Sequence, residues 1–195
     1  MTKKQSTREK LLDITFEEVY IHGYNATSVD AILNKAQITK GSMYHHFKSK
    51  KELVLAMIEE RLFVKMDLFF KYEKEEGKSV QDSFRKTFVG ISKNKMLITY
   101  GCPLYRLMVE LSASDNEFDT LLTSKARDMK EGIKDLLQLG IDIGEFNSSL
   151  DTEAFAGFML SSVWGILSLS PTLSSSKNFI IQSRYILKEL ESYQN

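Results

Sequence analysis

Residues 27–47 read TSVDAILNKAQITKGSMYHHF, and the reading of this stretch decides the fold. Val29, Ile32, Leu33 and Ala36 fall at i, i+3, i+4 and i+7, one apolar face of a helix. Thr27 and Ser28 stand just ahead of that face, where a hydroxyl caps the first free N–H groups. Ala36-Gln37-Ile38 interrupts the pattern without Gly or Pro, and a second short helix follows with Thr39 as its cap. Met43 and Phe47 are its inward side. Its other side carries Lys40, Ser42, Tyr44, His45 and His46, with Gly41 near its start. No acid occurs between Asp30 and Glu52. Phosphates require cations and hydroxyl donors, and base edges in the major groove require side chains that donate or pack. Gly41 leaves the start of the second helix open to a phosphate. A short basic helix of a larger bundle, with Tyr44 half buried, fits the composition equally well. The order helix, short turn, short helix with a donor-rich outer face favours DNA contact.

Extended to TSVDAILNKAQITKGSMYHHFKSKKEL, the stretch resembles the N-terminal helix-turn-helix of the TetR/AcrR family of bacterial transcription regulators. Phe16, Gly23, Thr27, Ser28, Ile32, Ala36, the run Thr39-Lys40-Gly41-Ser42, Tyr44, Phe47, Lys50 and Leu53 carry the resemblance, which covers residues 6 to 60 without a gap. The family usually has Gly where Gln37 stands, so a non-Gly residue must accept a less favoured backbone angle or shift the turn.

At 195 residues the chain is long enough to bury a sizeable core, and 2 prolines with 10 glycines argue for long helices and short connections. Formal net charge is zero, so the whole chain carries no nucleic-acid signal. The distribution is uneven. Residues 1–50 hold Lys3, Lys4, Arg8, Lys10, Lys35, Lys40, Lys48 and Lys50 against Glu9, Asp13, Glu17, Glu18 and Asp30, and the remainder is correspondingly acidic. A basic head on an acidic body is expected where only the head meets DNA. The single Cys excludes an internal disulfide framework and fits a reducing cytosol, and MTKKQSTREK has no apolar signal region, so a cytoplasmic location is expected. The uncharged run from Ala154 to Ser176 contains many serines and Pro171, which argues against a membrane span and for a helix covered by a partner.

Ser6-Thr7-Arg8-Glu9 has the capping-box form and opens a helix with Leu12, Phe16 and Val19 inward, ended by Gly23. Arg8 stands near its start, within reach of phosphate. Ser49-Lys50-Lys51-Glu52 repeats the box and opens a long helix to about Tyr72, shared by head and body. Further helices are expected over 80–94, 104–112, 115–139, 151–170 and 177–193, with a turn at Thr99–Pro103 and loops at Gly140–Asn147 and Pro171–Ser176. The expectation is an all-α chain of about nine helices: a three-helix helix-turn-helix domain at 1–48 and a larger effector-binding and dimerisation domain at 49–195.

In the uncharged helix Gly157, Ser161 and Gly165 recur every four residues, flanked by Phe158 and Trp164, and small residues at that spacing let helices approach closely. With Ile181 and Tyr185 of the last helix they form the expected dimer face. A core hairpin within one chain is the alternative. The family resemblance implies the dimer, which would place two recognition helices about 34–36 Å apart on a palindrome. The resemblance also implies an apolar effector pocket in the body. The residues chosen for it are Phe63, Met66, Tyr100, Cys102, Tyr105, Met108 and Trp164, with Arg106 as a polar handle. Gly-Cys-Pro-Leu followed by Glu110-Leu-Ser resembles a body subtype in which some members sense electrophiles through a cysteine. Cys102 precedes a helix start, where a thiol pKa falls, so a redox or electrophile sensor is an alternative reading.

Enzyme chemistry finds no support: there is no Gly-rich phosphate loop, and His45-His46 lack zinc-site spacing. No cofactor is expected. The implied function is a one-component regulator, expected to be a repressor, that binds operator DNA as a homodimer. Thr27, Ser28, Thr39, Lys40, Ser42, Lys48 and Lys50 are expected at phosphates, and Lys40, Gly41, Tyr44 and His45 at base edges, with His46 on the same DNA-binding face. A small, mostly apolar effector would release it. A regulator without a small-molecule effector, and a helical adaptor that has lost DNA binding, are the remaining alternatives.

Overall fold

A computed structural model describes residues 6–169 and 175–195. It is helical throughout its ordered elements. The first helix, α1 (Thr7–His22), opens on a reciprocal box: the Ser6 hydroxyl accepts from Glu9 N at 3.2 Å and the Glu9 carboxylate accepts from Ser6 N at 3.0 Å. It closes at Gly23, whose φ of 85° suits a residue without Cβ. Next come α2 (Val29–Ala36), capped by Ser28, and α3 (Lys40–His46), capped by Thr39. Ile32, Leu33, Ala36, Met43 and Phe47 are buried together with Leu11, Leu12, Phe16 and Val19 of α1, which closes a three-helix head.

Gln37 ends α2 at φ 52° and ψ 45°, the left-handed region. Its N–H donates to Asn34 O at 3.2 Å and Ile38 N–H to Leu33 O at 3.1 Å, so the turn closes as a helix C-terminus does. Of the two ways open to a non-Gly residue here, the chain accepts the less favoured backbone angle.

The rod expected from Ser49 to Tyr72 is interrupted. It comprises α4 (Lys50–Met57), a π-helical segment (Ile58–Phe63) and α5 (Val64–Phe69). No Gly or Pro marks the π turns in the sequence. They lie where Glu60 and Arg61 pair with Arg8 and Asp13 of α1, a long-range contact that sequence periodicity does not report. The second capping box is also altered: the Ser49 hydroxyl accepts from Glu52 N at 3.1 Å, but the Glu52 carboxylate accepts from Lys48 N at 2.8 Å.

The body consists of α6 (Val80–Lys93), α7 (Lys95–Tyr100), α8 (Pro103–Leu111), α9 (Asn116–Asp142), α10 (Thr152–Ser168) and α11 (Ser176–Glu191). The nine expected helices are present, and α7 is additional. Asn94 ends α6, and its side chain accepts from Met96 N and Leu97 N, so one residue closes a helix and caps the next, in a stretch for which the sequence reading named no element. α9 runs past the expected stop at Leu139 because Gly140 stays helical; a Cβ there would lie 2.4 Å from the Phe146 ring, which fills that space. Asp151 caps α10 with Leu150 and Phe155 both buried beside it, as a hydrophobic staple requires. Pro171, Lys3 and Lys4 lie outside the described residues.

α10 packs along α9, and α11 along α6. One apolar core runs from Leu11 in the head to Leu190 in α11. No helix among the described residues is long and apolar enough to cross a membrane.

Gln37→Gly should stabilise the head. A left-handed L-residue costs about 1–2 kcal/mol, and the added backbone entropy of glycine offsets about 0.5–1 kcal/mol of that. The expected net gain is about 0.5–1 kcal/mol, read as a rise in the urea midpoint at unchanged slope. A lowered midpoint would contradict the assignment of strain to this residue.

Candidate nucleic-acid interface and the cleft behind it

The outer face of α3 is open. Tyr44 is 46% exposed, and Lys40, Gly41 and His45 are exposed beside it, with Ser42 and His46 half-buried. The sequence folds this way because Met43 and Phe47 take the buried positions and leave the intervening residues outside. A Cβ at Gly41 would meet nothing within 4 Å, so the start of α3 faces clear space. Ser28 and Thr39 are exposed caps whose oxygens accept from Ala31 N at 3.0 Å and Ser42 N at 3.3 Å. Each keeps its own hydroxyl proton to donate outward. Lys48 is exposed at the foot of α3.

Three sequence assignments are corrected here. Thr27 is buried and its hydroxyl donates to Gly23 O at 2.7 Å, so it holds the turn before α2 and has no face toward solvent. Lys50 turns inward as well. Its Nζ donates to Tyr24 O at 2.6 Å and stands 4.1 Å from the centre of the Tyr24 ring, and partial burial lowers its pKa. Arg8 pairs with Glu60 and lies over the Phe47 ring at 5.3 Å, which ties α1 to the rod. Lys35, though exposed, is bridged to Glu17 at 3.1 Å and Glu18 at 2.8 Å.

Behind the head, Tyr100, Cys102, Tyr105 and Arg106 come together in one cleft of about 740 Å³. Its walls come from both halves: Ile21, His22, Gly23 and Asn25 from the head, and Val109, Glu110 and Leu167 from the body. Sequence reasoning missed the head's share of this lining, because nothing local marks residues that meet across a fold. Arg106 is not a free handle in this arrangement. Its Nη1 donates to Tyr20 O at 2.6 Å and to Tyr100 O at 3.2 Å. The other pocket candidates lie elsewhere. Met66 is buried on a separate smaller cleft with Lys125 and Met129, and Phe63 sits under the Lys125 ammonium at 5.5 Å. Met108 packs half-buried against the core. Trp164 stacks on Tyr105 with ring centres 5.4 Å apart, one layer behind the cleft.

Cys102 is 1% exposed. Burial pushes its thiol up to about 11, against the smaller downward pull of the Tyr105 and Leu104 N–H groups at the start of α8. The helix-terminus argument made from sequence is outweighed by desolvation. Cys102 is a packed thiol, not an activated one.

On the far side of the body α10 and α11 border an open groove of about 1150 Å³. Phe158 (45% exposed), Gly165 and Tyr185 (71% exposed) line it, and a Cβ at Gly165 would meet nothing within 4 Å among the described residues. Ser161 and Ile181 are exposed on the same two helices. Two expected members of this face point elsewhere. Gly157 faces the Lys130 side chain on α9, and Trp164 faces Tyr105; they lie off the line Ala154, Phe158, Ser162, Gly165, Leu169 that follows the helix period along the groove. Among the described residues no group of three or more His, Cys, Asp or Glu could hold a metal.

Comparison with known proteins accounts for both halves. Residues 11–57 match the model of bacterial regulatory proteins, tetR family, and residues 83–179 match the tetracyclin repressor-like C-terminal domain. An HTH-type transcriptional regulator in the lacX 3′ region of Lactococcus lactis subsp. lactis is 31% identical over 68% of this chain and 69% of its own. The HTH-type transcriptional repressor KstR2 of Mycolicibacterium smegmatis is 30% identical over 82% of this chain and 77% of its own. A TetR transcriptional regulator from Chloroflexus aurantiacus superposes with a TM-score of 0.86 at 22% identity, covering 100% of this chain and 98% of that one. With an exposed α3 on a three-helix head and family matches across head and body, the chain belongs to the TetR family of bacterial transcriptional regulators.

Proposed function

We propose that the chain is a dimeric repressor that reads a palindromic operator with α3 of each copy and is released when a small molecule enters the cleft behind the head. The observation that carries this is the outer face of α3, where Tyr44, Lys40 and His45 are exposed and, among the described residues, meet no partner outside that helix. Ser28, Thr39, Ser42 and Lys48 surround them as phosphate donors, and Gly41 permits close approach. Similarity to the repressor KstR2 supports negative control. Lined by Tyr100, Tyr105, Val109 and Leu167, the cleft suits a mostly apolar effector. Release requires that the effector bind the DNA-incompetent arrangement of the heads better than the competent one.

Tyr44→Ala tests the DNA reading. The side chain is 46% exposed and outside the apolar core, so stability should change by less than about 0.5 kcal/mol. Affinity for a duplex selected from a random pool by the wild-type chain should fall roughly 5- to 150-fold, measured by gel retardation. Unchanged affinity refutes the assignment.

The groove on α10 and α11 supports a second copy as its occupant, because its exposed Phe158 and Tyr185 rings lie in one lining with Ile166, Leu169 and the open Gly165. Phe158→Glu should turn a dimer into a folded monomer by sedimentation velocity. A variant that still sediments as a dimer places the interface elsewhere.

Burial of Cys102 argues against control through its thiol. With a pKa of about 11 the thiolate is scarce at neutral pH and grows only as pH rises toward that value. Iodoacetamide at pH 7.5 should therefore modify the folded chain at least ~100-fold more slowly than the urea-unfolded chain. Rapid, complete labelling of the folded chain with loss of DNA binding would reinstate the sensor.

A further inference from the structure

The turn between α1 and α2 is gripped by the body at one point. The N–H groups of Tyr24 and Asn25 follow the end of α1 and have no helical partner of their own. Both donate to one carboxylate: Tyr24 N to Glu110 Oε2 at 2.9 Å and Asn25 N to Glu110 Oε1 at 2.7 Å. We propose that Glu110 is a positioning residue that sets the orientation of the DNA-binding head on the body and couples it to the cleft. The proposal rests on the reading of α3 as the DNA-contacting helix.

Two parallel bonds to one planar group fix a direction, where a single bond would leave a swivel. Neighbouring residues are arranged for this contact. Gly23 brings the turn so close that a Cβ would lie 2.8 Å from Glu110 Oε2, and its φ of 85° disfavours any side chain. On the other side of the same turn, Tyr24 O accepts from Lys50 Nζ at 2.6 Å. A carboxylate from α8 and an ammonium from α4 thus hold the two ends of one residue's backbone.

Glu110 also borders the cleft, one helical turn beyond Arg106, which ties Tyr20 O and Tyr100 O together. A molecule that shifts α8 to fit between Tyr105 and Asn25 must carry Glu110 with it. The carboxylate then pulls on the turn that leads into α2. Cleft occupancy becomes a rotation of the head with no intervening element.

Glu110→Gln keeps the shape but leaves one oxygen acceptor for two N–H groups. Amide hydrogen exchange at Tyr24 and Asn25 should quicken at least tenfold, with α1 and α8 protected as before. Affinity for a duplex selected by the wild-type chain should fall at least tenfold. The salt dependence of binding to random-sequence duplex should stay unchanged, because the phosphate-facing cations are untouched. A second series guards against a variant that does not fold. Gly23→Ala strains the backbone at φ 85° in the wild-type and Glu110→Ala backgrounds alike, so it should weaken selected-duplex binding in both, and by the larger factor in the wild-type background, where the new Cβ also meets the Glu110 carboxylate. Unchanged exchange at Tyr24 and Asn25, full affinity despite faster exchange, or an equal Gly23→Ala effect in both backgrounds each overturns the proposal. A wild-type chain that selects no duplex defeats the DNA reading instead, and the exchange measurement then still decides the latch.

Discussion

The N–H groups of Tyr24 and Asn25 have no helical partner and are satisfied by the Glu110 carboxylate, while the Tyr24 carbonyl accepts from the Lys50 ammonium besides the Thr27 N–H of its own turn. This constraint organises the molecule. A turn between two helices normally faces water, which satisfies its backbone at little cost. Here the turn is pressed against the body, with the Tyr24 ring meeting Phe118 edge-on at 5.2 Å, so its polar groups require fixed partners. Glu110 and Lys50 supply them. The same solution recurs at the other end of the body, where the Glu145 carboxylate accepts from Val80 N at 2.7 Å and Gln81 N at 2.9 Å to hold the start of α6. In both places a glutamate distant in sequence takes two N–H groups that the local cap, Gly23 for α1 and Ser79 for α6, leaves unserved.

A head fixed at one turn would still pivot about it. The second attachment is the rod. Its π segment presents Glu60 to Arg8 and Arg61 to Asp13, on the flank of α1 away from the turn. These pairs are partly exposed and each contributes modestly to stability. Their value is geometric, since together with Glu110 they leave α1 few ways to move except with the rod and α8. Lys51 adds a tie to Asp115 at 2.7 Å and Glu117 at 2.9 Å, which sets the start of α9 against the head. Of these contacts the one made by Glu110 borders the cleft, so a ligand there meets the head's attachment at that point.

How much of this was legible in the sequence follows from range. Local chemistry was readable: the Ser6 box, the Thr39 cap, the buried Met43 and Phe47, and the exposed Tyr44 all follow from spacings within one or two turns. The unusual angle at Gln37 was readable too, because the resemblance marks a position where glycine is customary. What escaped was set by partners far along the chain. Lys50 reads as a surface lysine until Tyr24 is placed beside it, and Thr27 reads as an outward cap until Gly23 O is found within reach of its hydroxyl. Glu110 stood in a recognisable motif, yet nothing near it points to a turn 85 residues away. The body's aromatic residues could not be sorted into cleft and core, since Tyr105 and Trp164 differ only by which layer the packing assigns them. Desolvation of Cys102 was likewise invisible, because burial is a property of the whole fold.

The central claim is that two outward-facing copies of α3 are held by their bodies at a separation matching one turn of duplex. Hydroxyl-radical footprinting on a duplex selected by the wild-type chain tests this most directly. The account predicts two protected patches related by a two-fold axis, their centres about 10–10.5 base pairs or a multiple of that apart. A single protected patch, or protection without two-fold symmetry, would contradict it.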